Sequence, residues 1–390
     1  MSHDLNDSAR PRDTTEGESP RGLKPAALQR CEITHGHPES TAGVWLADAP
    51  EPVHGNGNGP ATARCLSGSS PAGEKLWVRA VLWLGNVHRR MLGVYFGVAG
   101  PRTTYGIMSI LARLLYRLLD PIRARSEAQC RAALGDRVAP EDVPRIAERS
   151  FIHRVWNLAD LMLADRLLHP NTYHRYGGTI AEPHLGGLLD AQRRKQPAIL
   201  LTAYYGSFDL LPIFLGYNGI QAGVVYRPSE NAAFDDYRRR IRGRSGCELI
   251  RVDRAAGRLA AILEAGGSVA IVADHHADRR GIPVTFLGLP TMAMRSVGLL
   301  AWRYNADVAV AGIRRIGSAF RFELIVADTL YHSEWERADD PVAYVTDHYL
   351  RALENLVLGD PTQYLWGYAR WGEGFLRQLL ARDEPGQSTA

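Results

Sequence analysis

Residues 198–215 read AILLTAYYGSFDLLPIFL, and the rest of the chain is organised around them. Ala198 to Ala203 is a short apolar run of the kind that forms a fully buried strand. Tyr204, Tyr205, Gly206 and Ser207 follow as a tight turn. The spacing then predicts an amphipathic helix from Ser207 to Tyr217, with Pro212 tolerable only near its first turn. A strand that ends in a small-residue turn and feeds a helix is where α/β proteins place their chemistry. Asp209 puts a carboxylate into that first helical turn.

Downstream, strand and helix patterns alternate. Strands are expected at Ala222–Tyr226, Glu248–Val252, Ser268–Ala273, Val308–Arg314 and Phe320–Val326, with an extended piece at Ile282–Leu287 turning at Gly288. Helices are expected at Asn231–Arg244, Arg254–Glu264, Met294–Tyr304 and Pro341–Leu358. Gly266-Gly267 is the stop signal of the second of these. Such alternation predicts an α/β fold with a mainly parallel, mixed sheet flanked by helices. Sites in these folds lie at the carboxyl ends of the strands. Polar groups converge there: Tyr204 to Asp209, Arg227, and Asp274 to His276.

Upstream, Arg123 to Leu168 reads as two or three helices. Pro140, Glu141 and Asp142 mark one start. Trp156, Leu158, Leu161, Met162 and Leu167 are expected to line one buried face, and His153 and Asp160 read as structural. Ile107 to Leu119 is apolar on one face, with Arg113 and Arg117 on the other and Pro121 ending it. Residues 76–100 combine Trp77, Trp83, Tyr95 and Phe96 with arginines. Their apolar runs are too short to span about 30 Å of hydrocarbon, but suit the plane of an anionic membrane surface. Residues 1–74 and 381–390 are polar and low in apolar period, and are expected to be a disordered leader and tail. The helical region is set at 75–170 and the core at 171–380.

With 390 residues, 45% of them hydrophobic, the chain can bury a sizeable core. A net charge of +4 is too small an excess to argue for nucleic acid. The four cysteines form no CxxC pair, so no disulfide framework is expected. The sequence lacks HExxH, GxSxG and GxGxxG, which removes support for zinc hydrolysis, a serine-elbow nucleophile and dinucleotide binding. No metal is expected.

Four blocks then carry a resemblance. They are LLTAYYGSFDLLP (200–212), VVYRPSENAAFDDYRRRIR (224–242), ADHHADRRGIPVTFLGLPT (273–291) and PTQYLWGYARW (361–371). In order and spacing they resemble the bacterial lipid A biosynthesis acyltransferases, the late lauroyl/myristoyl transferases within the wider glycerolipid acyltransferases. The likeness covers about 75 to 378. It implies transfer of a fatty acyl group from acyl-carrier protein or coenzyme A to a hydroxyl of a membrane lipid, with no cofactor beyond the donor thioester. It also implies a peripheral or shallowly anchored place on the cytoplasmic face of the inner membrane.

The resemblance assigns roles as well. Residue 204 stands where the family has the histidine of H-x4-D/E, the general base, and Asp209 would orient it. Arg227 would meet a phosphate or the developing oxyanion. Asp274 and His275 would shape the floor, and Gly206 would let the backbone approach the thioester. Ser207, Arg238 and Arg239 complete the expected substrate-binding set, the basic helix facing lipid headgroups or an acidic carrier protein.

Here, however, residue 204 is tyrosine. A phenol with pKa near 10 costs about 4 kcal/mol to use as phenolate at pH 7. Three readings stand open. The base is another group, His275 or His276; the chain is a slow or catalytically silent lipid- or carrier-binding relative; or Tyr204 is a strain variant or an engineered change.

Overall fold

The computed structural model describes residues 95, 98–181, 183–229, 231–277 and 281–382. The expected leader, most of the aromatic–arginine segment at 76–100 and residues 383–390 of the tail lie outside the described residues. A first helix, α1 (98–118), is followed by α2 (Asp120–Leu134). Pro121 sits in the first turn of α2, where its missing N–H has no intrahelical partner to lose. Pro140–Asp142 forms a single 3₁₀ turn that leads into the long α3 (Val143–Leu167).

The α/β part begins with α4 (His184–Arg193) and β1 (Ala198–Thr202). It continues through α5 (Leu211–Tyr217), β2 (Ala222–Tyr226), α6 (Ala232–Gly243), β3 (Glu248–Arg251), α7 (Ala255–Glu264) and β4 (Ser268–Val272). A hairpin follows, β5 (Ile282–Phe286) and β6 (Leu289–Ala293), then α8 (Arg295–Tyr304), β7 (Asp307–Arg315) and β8 (Phe322–Leu330). The short α9 (His332–Trp335), α10 (Pro341–Gly359) and α11 (Glu373–Arg382) complete the order. The helix expected from Ser207 begins instead as a 3₁₀ turn, Phe208–Leu210, and becomes α-helical only at Leu211. Pro212 then lies in the first turn, as its missing donor requires.

Among the described residues the main sheet runs β3-β2-β4-β1-β7-β8. All neighbours are parallel except the β7–β8 pair. β1 is buried at every position, because helices cover both faces. Its side chains alternate. Ile199 and Leu201 enter a core made with α7, α8 and α10, whereas Leu200 enters a second core made with α1, α3, α5 and α6. The β5–β6 hairpin turns through Leu287 and Gly288, both at positive φ. Phe286, Leu287 and Ala293 pin it onto the first core.

The helical N-terminal part corrects two expectations. Trp156, Leu161 and Met162 are buried on α3, but Leu158 is 41% exposed because it borders a cavity. On α1 the buried face is Tyr105, Met108, Ala112 and Tyr116, while Ile110, Leu114 and Leu118 are 69%, 54% and 67% exposed. The aliphatic side chains of α1 are thus split between core and surface, not gathered on the buried face.

β4 sits between β2 and β1. The segments leaving the carboxyl ends of these strands are therefore side by side. That places Tyr204, Arg227 and His275 together, although they are far apart in the chain.

Candidate active site

The turn after β1 is pinned from three sides. The Tyr204 N–H donates to Asp274 Oδ2 at 3.1 Å, and the Tyr204 carbonyl accepts from the Leu365 N–H at 3.0 Å. The Gly206 N–H donates to the Gln363 carbonyl at 2.9 Å, and the Ser207 N–H to the Ile313 carbonyl at 2.9 Å. Gln363 in turn closes a two-way bond with the backbone of Arg315, at 2.8 and 2.9 Å. The C-terminal PTQYLW block is therefore the clamp that fixes the turn. Gly206 has φ +54, and a Cβ there would lie 1.8 Å from the Ile313 carbonyl oxygen. Its lack of a side chain serves this backbone contact.

Ser207 also differs from expectation. It is fully buried and donates to Asp160 Oδ2 at 2.7 Å. Asp160 accepts from Tyr105 at 2.5 Å and is ion-paired with Arg315, whose guanidinium also donates to Ser207 at 2.8 Å and to Tyr105 at 2.7 Å. Tyr105, Trp156 and Phe322 surround that guanidinium at 4.9, 5.3 and 5.1 Å. Ser207 thus belongs to an anchor joining α1, α3, the turn and β7.

A cavity of about 980 Å³ opens beside the turn. Tyr204, Asp209, Arg154, Arg227, Arg238, Arg242, His275, His276 and Tyr368 supply its polar lining; Val224, Leu249, Leu259 and Leu300 are among its apolar walls. Its size is at the upper end of ligand pockets, roughly 300–1,000 Å³. Asp274 is fully buried behind Tyr204, holding its backbone. It backs the floor without lining the cavity.

The Tyr204 hydroxyl meets His275 Nε2 at 3.1 Å. His275 Nδ1 lies 3.0 Å from the Val272 carbonyl. A carbonyl only accepts, so Nδ1 carries the proton and Nε2 is a lone pair that accepts from the phenol. Burial holds the His275 pKa below the ordinary imidazole value, so the ring is neutral at pH 7. Burial also pushes the Tyr204 phenol up to about 12, Asp274 and Tyr368 adding to it against the opposing pull of Arg227 and Arg154. The phenol is therefore a protonated donor. Tyr204 packs edge-on against Phe208, His275 and Tyr368 at 5.0, 5.1 and 5.3 Å, which fixes its ring.

Asp209 is engaged elsewhere. It pairs with Arg242 and lies 3.5 Å from Arg238, so its bonds go to α6 and not to residue 204. Burial lowers the Arg242 pKa to about 10, which leaves it protonated at neutral pH. Arg239 turns outward and meets Asp236 at 3.5 Å, both exposed, so it does not reach the cavity. Arg227 lines the cavity while remaining exposed.

The expected site residues thus divide. Tyr204, Asp209, Arg227, Arg238 and His275 come together; Gly206, Ser207, Asp274 and Arg239 take structural or surface places. Arg154, Arg242 and Tyr368 are additions. The i,i+4 spacing of Arg238 and Arg242 was the available signal for Arg242, since it puts both on one face of α6. No sequence signal marks Arg154. Among the described residues no cluster of histidine, cysteine and carboxylate could hold a metal ion.

No curated protein matches this chain in sequence comparison. The model of the family described as bacterial lipid A biosynthesis acyltransferase matches residues 98–373. That span includes α1, the whole sheet and the clamp segment around Gln363, and on this match the chain belongs to the bacterial lipid A biosynthesis acyltransferase family.

Proposed function

We propose that the protein transfers a fatty acyl group from an acyl-carrier protein or coenzyme A thioester to a hydroxyl of a membrane lipid or glycolipid of the lipid A type. The observation that carries this is the Tyr204–His275 pair set at an apolar cavity of about 980 Å³. An acyl chain gains about 0.8 kcal/mol per buried CH₂ in such surroundings. The thioester carbonyl would then lie near Tyr204. The acceptor oxygen attacks the carbonyl carbon, a C–O bond forms, the C–S bond breaks, and the acceptor proton ends on the leaving sulfur. Arg227 and Arg238 favour the anionic oxygen of the tetrahedral intermediate, or a phosphate on either substrate. The donor is a substrate, and no cofactor enters the scheme.

Peripheral binding to an anionic membrane surface, at the cytoplasmic face of the inner membrane, belongs to the same proposal. It is supported by α1, where exposed Ile110, Leu114 and Leu118 stand beside exposed Arg113 and Arg117. No described helix is long and apolar enough to cross a membrane. Lipid acceptor and carrier protein, not nucleic acid, are the partners proposed.

The test gives purified protein an acyl-carrier protein thioester or acyl-coenzyme A together with a lipid A precursor in detergent or vesicles, and follows acylated product by mass spectrometry. Transfer well above a control without protein is expected; no excess over that control overturns the proposal. A second reading, a silent relative that holds lipid or carrier, is favoured by the high phenol pKa of Tyr204. It predicts binding of the same ligands without turnover.

A further inference from the structure

The family block places a base at position 204, and this chain has a phenol there. The phenol is not isolated. Its hydrogen points at a neutral imidazole whose other nitrogen is fixed by the Val272 carbonyl. Tyr204 also lines the cavity. One atom of Tyr204 can therefore accept a proton from the cavity while giving its own to His275. Taking the acyl-transfer reading as given, we propose that Tyr204 and His275 form a two-proton relay, Tyr204 contacting the acceptor hydroxyl and His275 serving as the terminal proton acceptor.

The step balances. As the acceptor oxygen bonds to the thioester carbon, its proton passes to the Tyr204 oxygen and the phenolic proton passes to His275 Nε2. The imidazolium keeps its Nδ1–H bond to Val272, and buried Asp274 stabilises the new positive charge. When the C–S bond breaks, the proton returns through the same phenol to the sulfur, and both residues are restored. Tyr204 never carries a full charge. The two transfers have to be concerted for that reason, because a free-standing phenolate in this buried place is strongly disfavoured.

The geometry supports transfer over simple packing. Asp274 and Leu365 fix the Tyr204 backbone on both sides, and three ring contacts hold the side chain. The relay thus starts near its reactive arrangement and needs little reorganisation. It also explains why Asp209 is free to pair with Arg242: the orienting partner of residue 204 is His275, from the neighbouring strand end.

The experiment compares wild type with Tyr204→Phe and Tyr204→His, using acyl-carrier protein thioester and a lipid A precursor. Each variant is checked for native circular dichroism. Tyr204→Phe breaks the path and is expected to lose roughly 10²-fold or more in kcat, the usual range for a lost acid–base group. Tyr204→His supplies a one-step base and is expected to recover much of that loss. Rates in mixtures of H₂O and D₂O give a readout that mere packing would not move. A curved dependence on deuterium fraction is expected for wild type, from two protons in flight, and a straight one for Tyr204→His. Nitrogen-15 NMR of His275 should show the Nδ1–H tautomer in wild type. Full activity in Tyr204→Phe, a straight wild-type dependence, or an Nε2–H tautomer would each overturn the relay while leaving acyl transfer standing. A wild type inert toward every donor overturns the acyl-transfer reading itself, and the relay with it.

Discussion

Replacing Asp160 by alanine removes the acceptor of three buried donors at once. Tyr105, Ser207 and Arg315 all bond to its carboxylate, and neither side chain of the Asp160–Arg315 pair is exposed. Burial alone would lower the Arg315 pKa, yet Asp160 and Tyr105 hold it above the ordinary value. Without Asp160 the guanidinium keeps its charge and loses its counter-ion, a situation that costs about 3–5 kcal/mol. At a urea slope near 3 kcal/mol/M, that lowers the unfolding midpoint by about 1–1.7 M. Urea titration followed by tryptophan fluorescence suits the measurement, since the Trp156 ring lies 5.3 Å from the guanidinium. The double variant Asp160→Ala with Arg315→Met carries no buried charge, and its midpoint is expected to recover toward wild type, above the Asp160→Ala single. A midpoint shift below about 0.3 M for Asp160→Ala (roughly 1 kcal/mol at that slope), or a double variant that falls by the sum of the two singles, would refute the assignment of this network as the anchor of the turn.

Gly206→Ala is expected to destabilise by about 1–3 kcal/mol from the positive φ alone; the Ile313 contact adds to that, and loss of acyl transfer should exceed what the lost stability explains. Arg238→Ala should impair transfer while Arg239→Ala leaves both activity and stability nearly unchanged, within about 0.5 kcal/mol, because only Arg238 lines the cavity; equal effects in parallel kinetic assays would contradict the placement. His153 gives a pH dependence. Burial, with Arg315 and Arg149 adding to it, lowers its pKa to about 2. Below the unfolded value near 6.5 the unfolded chain binds a proton that the folded chain refuses, so this contribution is intact above pH 6.5 and falls by up to about 1.4 kcal/mol per unit as pH drops. Urea midpoints from pH 7 to 5 should fall less steeply in His153→Gln than in wild type; parallel slopes would count against it.

Much of the fold was legible in local pattern. β2 spans Ala222–Tyr226 as expected, and α8 and α10 fall within a residue of their expected ends. These elements are short apolar or amphipathic runs bounded by glycine, proline or asparagine, and local spacing is enough to define them. Site membership was less legible. Arg238 and Arg239 are adjacent in sequence, but about 100° of helical rotation sends one to the cavity and the other to solvent. Ser207 and Gly206 stand in the family block, yet their chemistry is spent on β7 and the α1–α3 anchor. Asp209 was expected in the first helical turn and lies in the 3₁₀ turn that leads into α5, and only the packing of α6 decides that arginines receive it.

The sequence by itself determined that strands and helices alternate, that the turn at 204–207 follows a buried strand, and that this turn opens with a phenol. Those are properties of neighbours along the chain, set by side-chain period and turn chemistry. Only the tertiary structure decided what the phenol does. Placing β4 against β1 brings a residue 71 positions away to 3.1 Å, and sheet order is a long-range choice that no local spacing encodes. Burial then raised one pKa and lowered the other, because the cost of charge depends on the surrounding atoms and not on the residue that carries it.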